Sequence, residues 1–178
     1  MPAWVNDPNT ISDKYLYSPT GAIKPGASAI LTFWHNYALD EGFDGGVLEI
    51  SVDGGPFQDI LEADGFFEQG GYNGTISTCC GNPLGGRQAW TGNSSGFVNP
   101  WVDLPVSPTH AFTLRWRMAS DSNGSGGGWR VDSVDVVCEL NPPSPTPTAT
   151  LTVTPTPTFT PRATPRPRPT PHPRPTRQ

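Results

Sequence analysis

Ala111–Ser120 reads AFTLRWRMAS and carries the sharpest alternation in the chain. Phe112, Leu114, Trp116 and Met118 fall on one side; Thr113, Arg115 and Arg117 fall on the other. A period of two belongs to a strand with one buried and one wet face. Gly46–Asp53 (GVLEISVD) behaves alike, setting Leu48, Ile50 and Val52 against Val47, Glu49 and Ser51. Asp53-Gly54-Gly55 then supplies turn residues, and Pro56–Ile60 is expected to return as the second arm of a hairpin. Ala29–Ala38 (AILTFWHNYA) is largely apolar on both faces, as in a strand held between layers. Trp129–Cys138 (WRVDSVDVVC) predicts a further strand, and Lys14–Tyr17 and Phe97–Leu104 weaker ones. Pro100 marks the last of these as an edge or bulged strand. No segment shows a helical period. Many short strands joined by Gly-rich turns predict an all-β chain, an antiparallel β-sandwich of the jelly-roll kind. Trp34, Trp116 and Trp129 are expected in its core, and Asp64–Gly96, rich in Gly and Asn, in long loops.

That sandwich accounts for only part of the 178 residues. Residues 1–140 hold every Gly, Trp, Cys, Asp and Glu; residues 141–178 hold 13 of the 22 Pro and five Arg. The body carries a net charge near −10 and the tail +5, for the overall −5. Pro alternates with Thr in the tail (Pro145-Thr146-Pro147-Thr148), which removes backbone donors and fixes φ. The tail is therefore expected to be a disordered, extended linker or stalk. The acidic body excludes nucleic acid as a partner. No apolar run approaches the roughly 20 residues of a membrane-spanning helix. No secretory leader follows Met1, yet the Trp- and Gly-rich body and Pro/Thr tail suit an extracellular or cell-surface protein. The chain is thus expected to be a piece of a larger secreted one.

Several blocks occur in a telling order: SAILTFWHNYALDEGFDGGVLEISVDGG at 28–55, GGYNGTI at 70–76, NPLGGRQAWTG at 82–92 and GWRVDSV at 128–134. Together they resemble the MAM-like, lectin-like (concanavalin-like) β-sandwich modules of bacterial secreted proteins, over roughly residues 4–138. Such modules accompany immune-inhibitor-A-type and fungalysin-type metallopeptidases. The resemblance implies a non-catalytic accessory role and one or two further strands upstream of Ala3-Trp4, so the first strands of the module are expected to be missing. It also implies an Asp-Asp pair where this chain has Asp132-Ser133.

The chemistry-bearing residues fit that role. There is no His-Glu-x-x-His, so a zincin site is absent. Gly92-Asn93-Ser94-Ser95-Gly96 matches the nucleophile-elbow pattern in letters only, because Pro100 blocks the helix that must follow. His35 sits within an apolar strand and reads as a core histidine. Asp40, Glu41 and Asp44 lie between two strands among glycines, and a second Gly-rich loop runs from Asp121 to Gly128 before Asp132. Calcium takes six to eight oxygens from such loops. The expected calcium ligands are Asp40, Asp44 and an inward Asp132, with Glu41 and Asp121 as weaker candidates. Tyr72, Trp90 and Trp101 lie in or beside the loops and are expected to meet a glycan or a protein surface. Of three cysteines, Cys138 is expected to pair with Cys79 or Cys80, since neighbours in sequence close only a tight ring. The sequence thus predicts a calcium-stabilised extracellular binding or adhesion module. A ligand-free structural spacer and an accessory fragment of a secreted metallopeptidase are the alternatives.

Overall fold

The computed structural model describes residues 2–23 and 27–140; the linker expected over 141–178 lies outside the described residues. The described residues form twelve strands and no helix: β1 Ala3–Val5, β2 Ser12–Tyr17, β3 Gly21–Ala22, β4 Ala27–Ala38, β5 Gly45–Val52, β6 Gln58–Asp59, β7 Phe66–Gln69, β8 Gly74–Thr75, β9 Gln88–Ala89, β10 Trp101–Asp103, β11 Ala111–Ser120 and β12 Gly128–Leu140. Every pairing is antiparallel. One sheet has the order β1-β12-β4-β10-β7; the other has β2-β11-β5-β6, with β3 also on β11, and β8 and β9 form a separate pair. The fold is an antiparallel β-sandwich.

The alternation in β11 survives intact. Phe112, Leu114, Trp116 and Met118 are buried and stand opposite Val52, Ile50, Leu48 and Gly46. From the other sheet, β4 contributes Ala29, Leu31, Phe33, His35 and Tyr37. The layers interlock edge to face, the Phe33 ring 5.4 Å from Trp116 and 5.9 Å from Trp90. Gly46 is required by this packing, since a Cβ there would meet the Trp129 ring at 2.6 Å. The hairpin after β5 turns through Asp53 (φ 51°) and Gly54 (φ 74°) and returns as β6.

Three expectations are corrected. Val47, Glu49 and Ser51 do face away from the core, but they are not wet: chain from the long 60–92 excursion covers them, and Val47 packs with Ile76, Leu84, Ala89 and Ala119. The segment expected as long loops, Asp64–Gly96, also forms β7, β8 and β9. Trp90 from it is 1% exposed, because its backbone pairs with Gly46 at the start of β5 and carries the ring into the core. Trp34, expected inside, is instead 47% exposed. Of the two alternatives for the Pro100 strand the bulged one holds: β10 lies between β4 and β7, with Pro100 just before its first paired residue and a bulge or irregularity toward β7 at Trp101/Val102.

Candidate functional site

Three loops meet at one end of the sandwich. The β1–β2 connection brings Asp7, the β4–β5 connection brings Asp40 and Asp44, and the β11–β12 connection runs from Asp121 to Gly128. The Asp40 carbonyl accepts the amides of Phe43 (3.1 Å) and Asp44 (2.9 Å), which coils the β4–β5 turn and aims the Asp44 side chain inward. Thr91 Oγ1 locks it, donating to the Asp44 carbonyl (2.7 Å) and accepting from the Gly42 amide (2.8 Å). The glycines opposite are spatially required. A Cβ on Gly124 (φ 77°) would collide with the Asp40 carboxylate, one on Gly126 with the Ala38 carbonyl, and one on Gly128 (φ 86°) with the Val5 carbonyl.

The result is an unusual burial. Asp7 is 4% exposed and Asp44 0%. Asp44 Oδ1 accepts the Asp121 amide (2.6 Å) and, at 3.5 Å, Asn82 Nδ2. Asp44 Oδ2 and both oxygens of Asp7 have no hydrogen-bond partner. The Asp7 carboxyl faces that of Asp44; the amides of Asp40 and Gly126 lie near without reaching hydrogen-bond geometry. Lys14 feels the charge of Asp7, but its ammonium donates to the Asn6 carbonyl (2.6 Å) and side chain (3.0 Å). Burial pushes the Asp44 pKa up to about 7, with the charges of Asp7 and Asp121 adding to it, and burial also raises that of Asp7. A buried carboxylate with no donor must find a cation or hold a proton.

Of the expected calcium ligands, the structure brings Asp40, Asp44 and Asp121 into this end. Asp121 is buried, its Oδ1 occupied by the Asn123 amide (2.6 Å). Glu41 is exposed and lies along Gly92. Asp132 is not part of the group. It stands opposite Trp34 on the outer face of its sheet and accepts its own neighbour's amide, Ser133, at 2.8 Å. The inward orientation expected for Asp132 assumes an unbroken alternation along the strand. A bulge between Asp132 and Asp135, with Ser133 at φ 50°, breaks that periodicity and turns Asp132 outward. Sequence reasoning missed Asp7. Its only signal is Asn6-Asp7-Pro8 directly after a short strand, a pattern that any turn shares. Among the described residues no three acidic, histidine or cysteine side chains stand at metal-binding distances. A cation here would therefore draw on Asp7 and Asp44 and complete its shell with backbone carbonyls and water. The orphaned oxygens and the glycine-lined walls fit such an ion.

The other sequence candidates separate. Tyr72 and Trp90 lie inward: the Tyr72 hydroxyl donates to the Leu48 carbonyl (3.1 Å) and accepts its amide (3.0 Å), and Trp90 Nε1 donates to the Gly70 carbonyl (2.9 Å). Neither presents a ring face to a ligand. Trp101 is 46% exposed. Cys79 pairs with Cys80, and Cys138 is free and exposed, so the expected long-range pairing is not formed. Cys80 adopts φ 67°, which accommodates the tight ring, and its carbonyl accepts the Ser122 amide (3.2 Å). His35 is fully buried; its Nδ1 accepts from Trp129 Nε1 (3.1 Å), and burial lowers its pKa to about 3, so it is a neutral core group. Ser94 Oγ is committed to the backbone, donating to the Gly96 carbonyl (2.7 Å) and accepting the Tyr37 amide (3.0 Å).

A second buried carboxylate is built differently. Glu49 on β5 is 2% exposed and is met by Arg115 on the adjacent strand, by Arg87 (2.6 Å) and by Arg117 (3.4 Å). Arg87 also holds Asp59 (2.8 Å), and Arg117 holds Asp13 (2.9 Å). Despite burial, hydrogen bonds from Arg87 and Arg115 hold the Glu49 carboxyl below the usual range. No family model matches this chain, and no curated protein matches its sequence.

Proposed function

We propose that this chain is a non-catalytic binding module of a secreted or surface protein, its loop end closed by a calcium ion held between Asp7 and Asp44. The observation that carries the reading is the burial of these two facing carboxylates with three of their four oxygens unpartnered, inside loops whose glycines leave no room for side chains. Calcium suits the place because it accepts carboxylate, carbonyl and water oxygens in irregular geometry, whereas magnesium demands a tighter octahedron. The ion contributes structure here rather than chemistry: it neutralises the buried charge and ties together three loops that sequence alone leaves far apart. The engaged hydroxyl of Ser94 and the core-bound His35 support an accessory, binding role over a hydrolytic one. So does the resemblance of the blocks at 28–55 and 82–92 to MAM-like accessory modules.

Calorimetric titration with calcium tests the reading. One site is expected, weakened at least roughly tenfold by Asp7→Asn or Asp44→Asn and filled poorly by magnesium. A titration that shows no heat and no site by equilibrium dialysis would leave the pair sharing a proton, and the calcium reading would fall.

A further inference from the structure

The outer face of the five-stranded sheet carries an ordered line of aromatic rings. Residues directly opposite across a pairing share a face, so the register places each one. Trp4 on β1 stands opposite Arg130, which stands opposite Asn36 of β4. Two residues back along β4 is Trp34. Trp101 of β10 lies opposite Thr32, a further step of two, and Phe66 of β7 lies opposite Asp103, which faces Ile30. Each step across the sheet is thus also a step along it, and Trp4, Trp34, Trp101 and Phe66 form a diagonal from one edge strand to the other. With strands about 4.8 Å apart and about 6.7 Å per two residues, Trp34, Trp101 and Phe66 follow one another at about 8 Å between Cα positions. Their exposures are 57, 47, 46 and 58%. The Trp101 ring is fixed in orientation, its Nε1 donating to Asn99 Oδ1 at 2.7 Å.

The space between the rings is polar. Thr32 and Asp132 lie beside Trp34 and Trp101, and an open groove of about 570 Å³ next to Trp101 is walled by Glu68 and Asp103 as well as Ile30 and Leu104. None of Glu68, Asp103 or Asp132 is in an ion pair among the described residues. A protein-docking surface would cluster its apolar groups and exclude unpaired charge from their midst. Here flat apolar faces alternate with hydrogen-bonding groups, the Arg130 donor between Trp4 and Trp34 and the carboxylate acceptors of Asp132, Glu68 and Asp103 farther along.

We infer that this face binds an extended neutral polysaccharide, the rings stacking on the apolar faces of successive sugars and the carboxylates accepting from their hydroxyls. Anionic chains are disfavoured by the same carboxylates. This deepens the binding-module reading and rests on it, but it uses the outer sheet face rather than the buried loop core and needs no calcium ligand.

Affinity electrophoresis of the full chain through gels containing hydroxyethyl cellulose, xylan, laminarin or soluble starch tests it, with polygalacturonate as the acidic control and a peptide array in parallel. Retardation is expected with at least one neutral polymer, unchanged by salt, and reduced at least roughly tenfold by Trp34→Ala and by Trp101→Ala. Both variants remove half-exposed rings and should melt as the parent does. Tyr15→Ala and Tyr17→Ala, on the other sheet, should change nothing. Retardation that survives Trp34→Ala and Trp101→Ala overturns this site while leaving a binding module standing. Retardation by polygalacturonate alone, or peptide capture without glycan binding, overturns the neutral-sugar assignment. No binding to any glycan or peptide overturns both readings.

Discussion

Glu49 and Asp44 are both buried carboxylates on or beside β5, and their surroundings could hardly differ more. Glu49 is held by three guanidinium groups, and its pKa falls. Asp44 has backbone amide and Asn82 contacts on one oxygen and nothing on the other, faces a second orphaned carboxylate, and its pKa rises to about 7. The first region carries its own counter-charges; the second carries none, so at neutral pH it needs a shared proton or, on the proposed reading, a cation. A folded chain tolerates the first arrangement at neutral pH unaided, whereas the second is strained by ionisation, and on that difference the proposed calcium site rests.

The contrast can be broken most severely at Glu49. Glu49→Ala leaves Arg115, Arg117 and Arg87 clustered over a vacated carboxylate, and should cost about 3–5 kcal/mol, read by urea denaturation, with or without calcium. A calcium-dependent loss there would mean that the two regions are not independent.

pH separates the two regions by sign. Asp44 has a folded pKa raised from 3.8 to about 7, so without a cation the stability it permits is intact below about pH 4 and is lost as pH climbs through about 7. The Asp7 shift acts in the same direction. Glu49 and Asp13 have lowered values, so what they contribute is present above their unfolded pKa and is lost as pH falls through the folded one. Chelator-treated protein should therefore weaken from pH 5 to pH 8, by on the order of 3 kcal/mol. Calcium should flatten that slope. A calcium-free protein equally stable across this range would show that the pair is not strained by ionisation.

Gly124 sharpens the comparison further. Gly124→Ala drives a side chain into the Asp40 carboxylate from a left-handed backbone, and should lower stability by about 1–2 kcal/mol and weaken calcium binding. Asp132→Ala should do neither beyond about 0.5 kcal/mol, because that carboxylate stands on the outer face. A calcium defect in Asp132→Ala would restore the ligand set expected from the sequence.

Much of this fold is legible in the sequence because β11 and β5 keep alternation, which assigns faces without any knowledge of partners; β4, apolar on both faces, gives the strand but not its faces, and Trp34 turns out exposed. Alternation fails where something interrupts it. The bulge at Ser133 inverts Asp132, and a single pair of backbone hydrogen bonds to Gly46 pulls Trp90 out of an apparent loop into the core. The Asp40–Asp44 and Asp121–Gly128 loops announce themselves through glycine and acid. Asp7 does not, because its burial depends on the Val5 and Asn6 backbone being pressed against Gly128, a contact spanning more than a hundred residues. The adjacent disulfide is likewise hidden, since nothing in Cys79-Cys80 itself announces the positive φ that Cys80 adopts.

The most direct test is thermal unfolding at pH 7.5 of the parent chain and of Asp44→Asn, each in calcium and in chelator. At a hundredfold excess over Kd, calcium bound only by the folded state contributes about 2.7 kcal/mol, which for a chain of this size is a rise of several degrees. The parent should show that rise. Asp44→Asn, which keeps an acceptor for the Asp121 amide and removes the buried charge, should melt at one temperature in both conditions, no lower than the chelated parent. A parent indifferent to calcium, or an Asp44→Asn variant that still responds to it, would contradict the claim that these two carboxylates hold the ion.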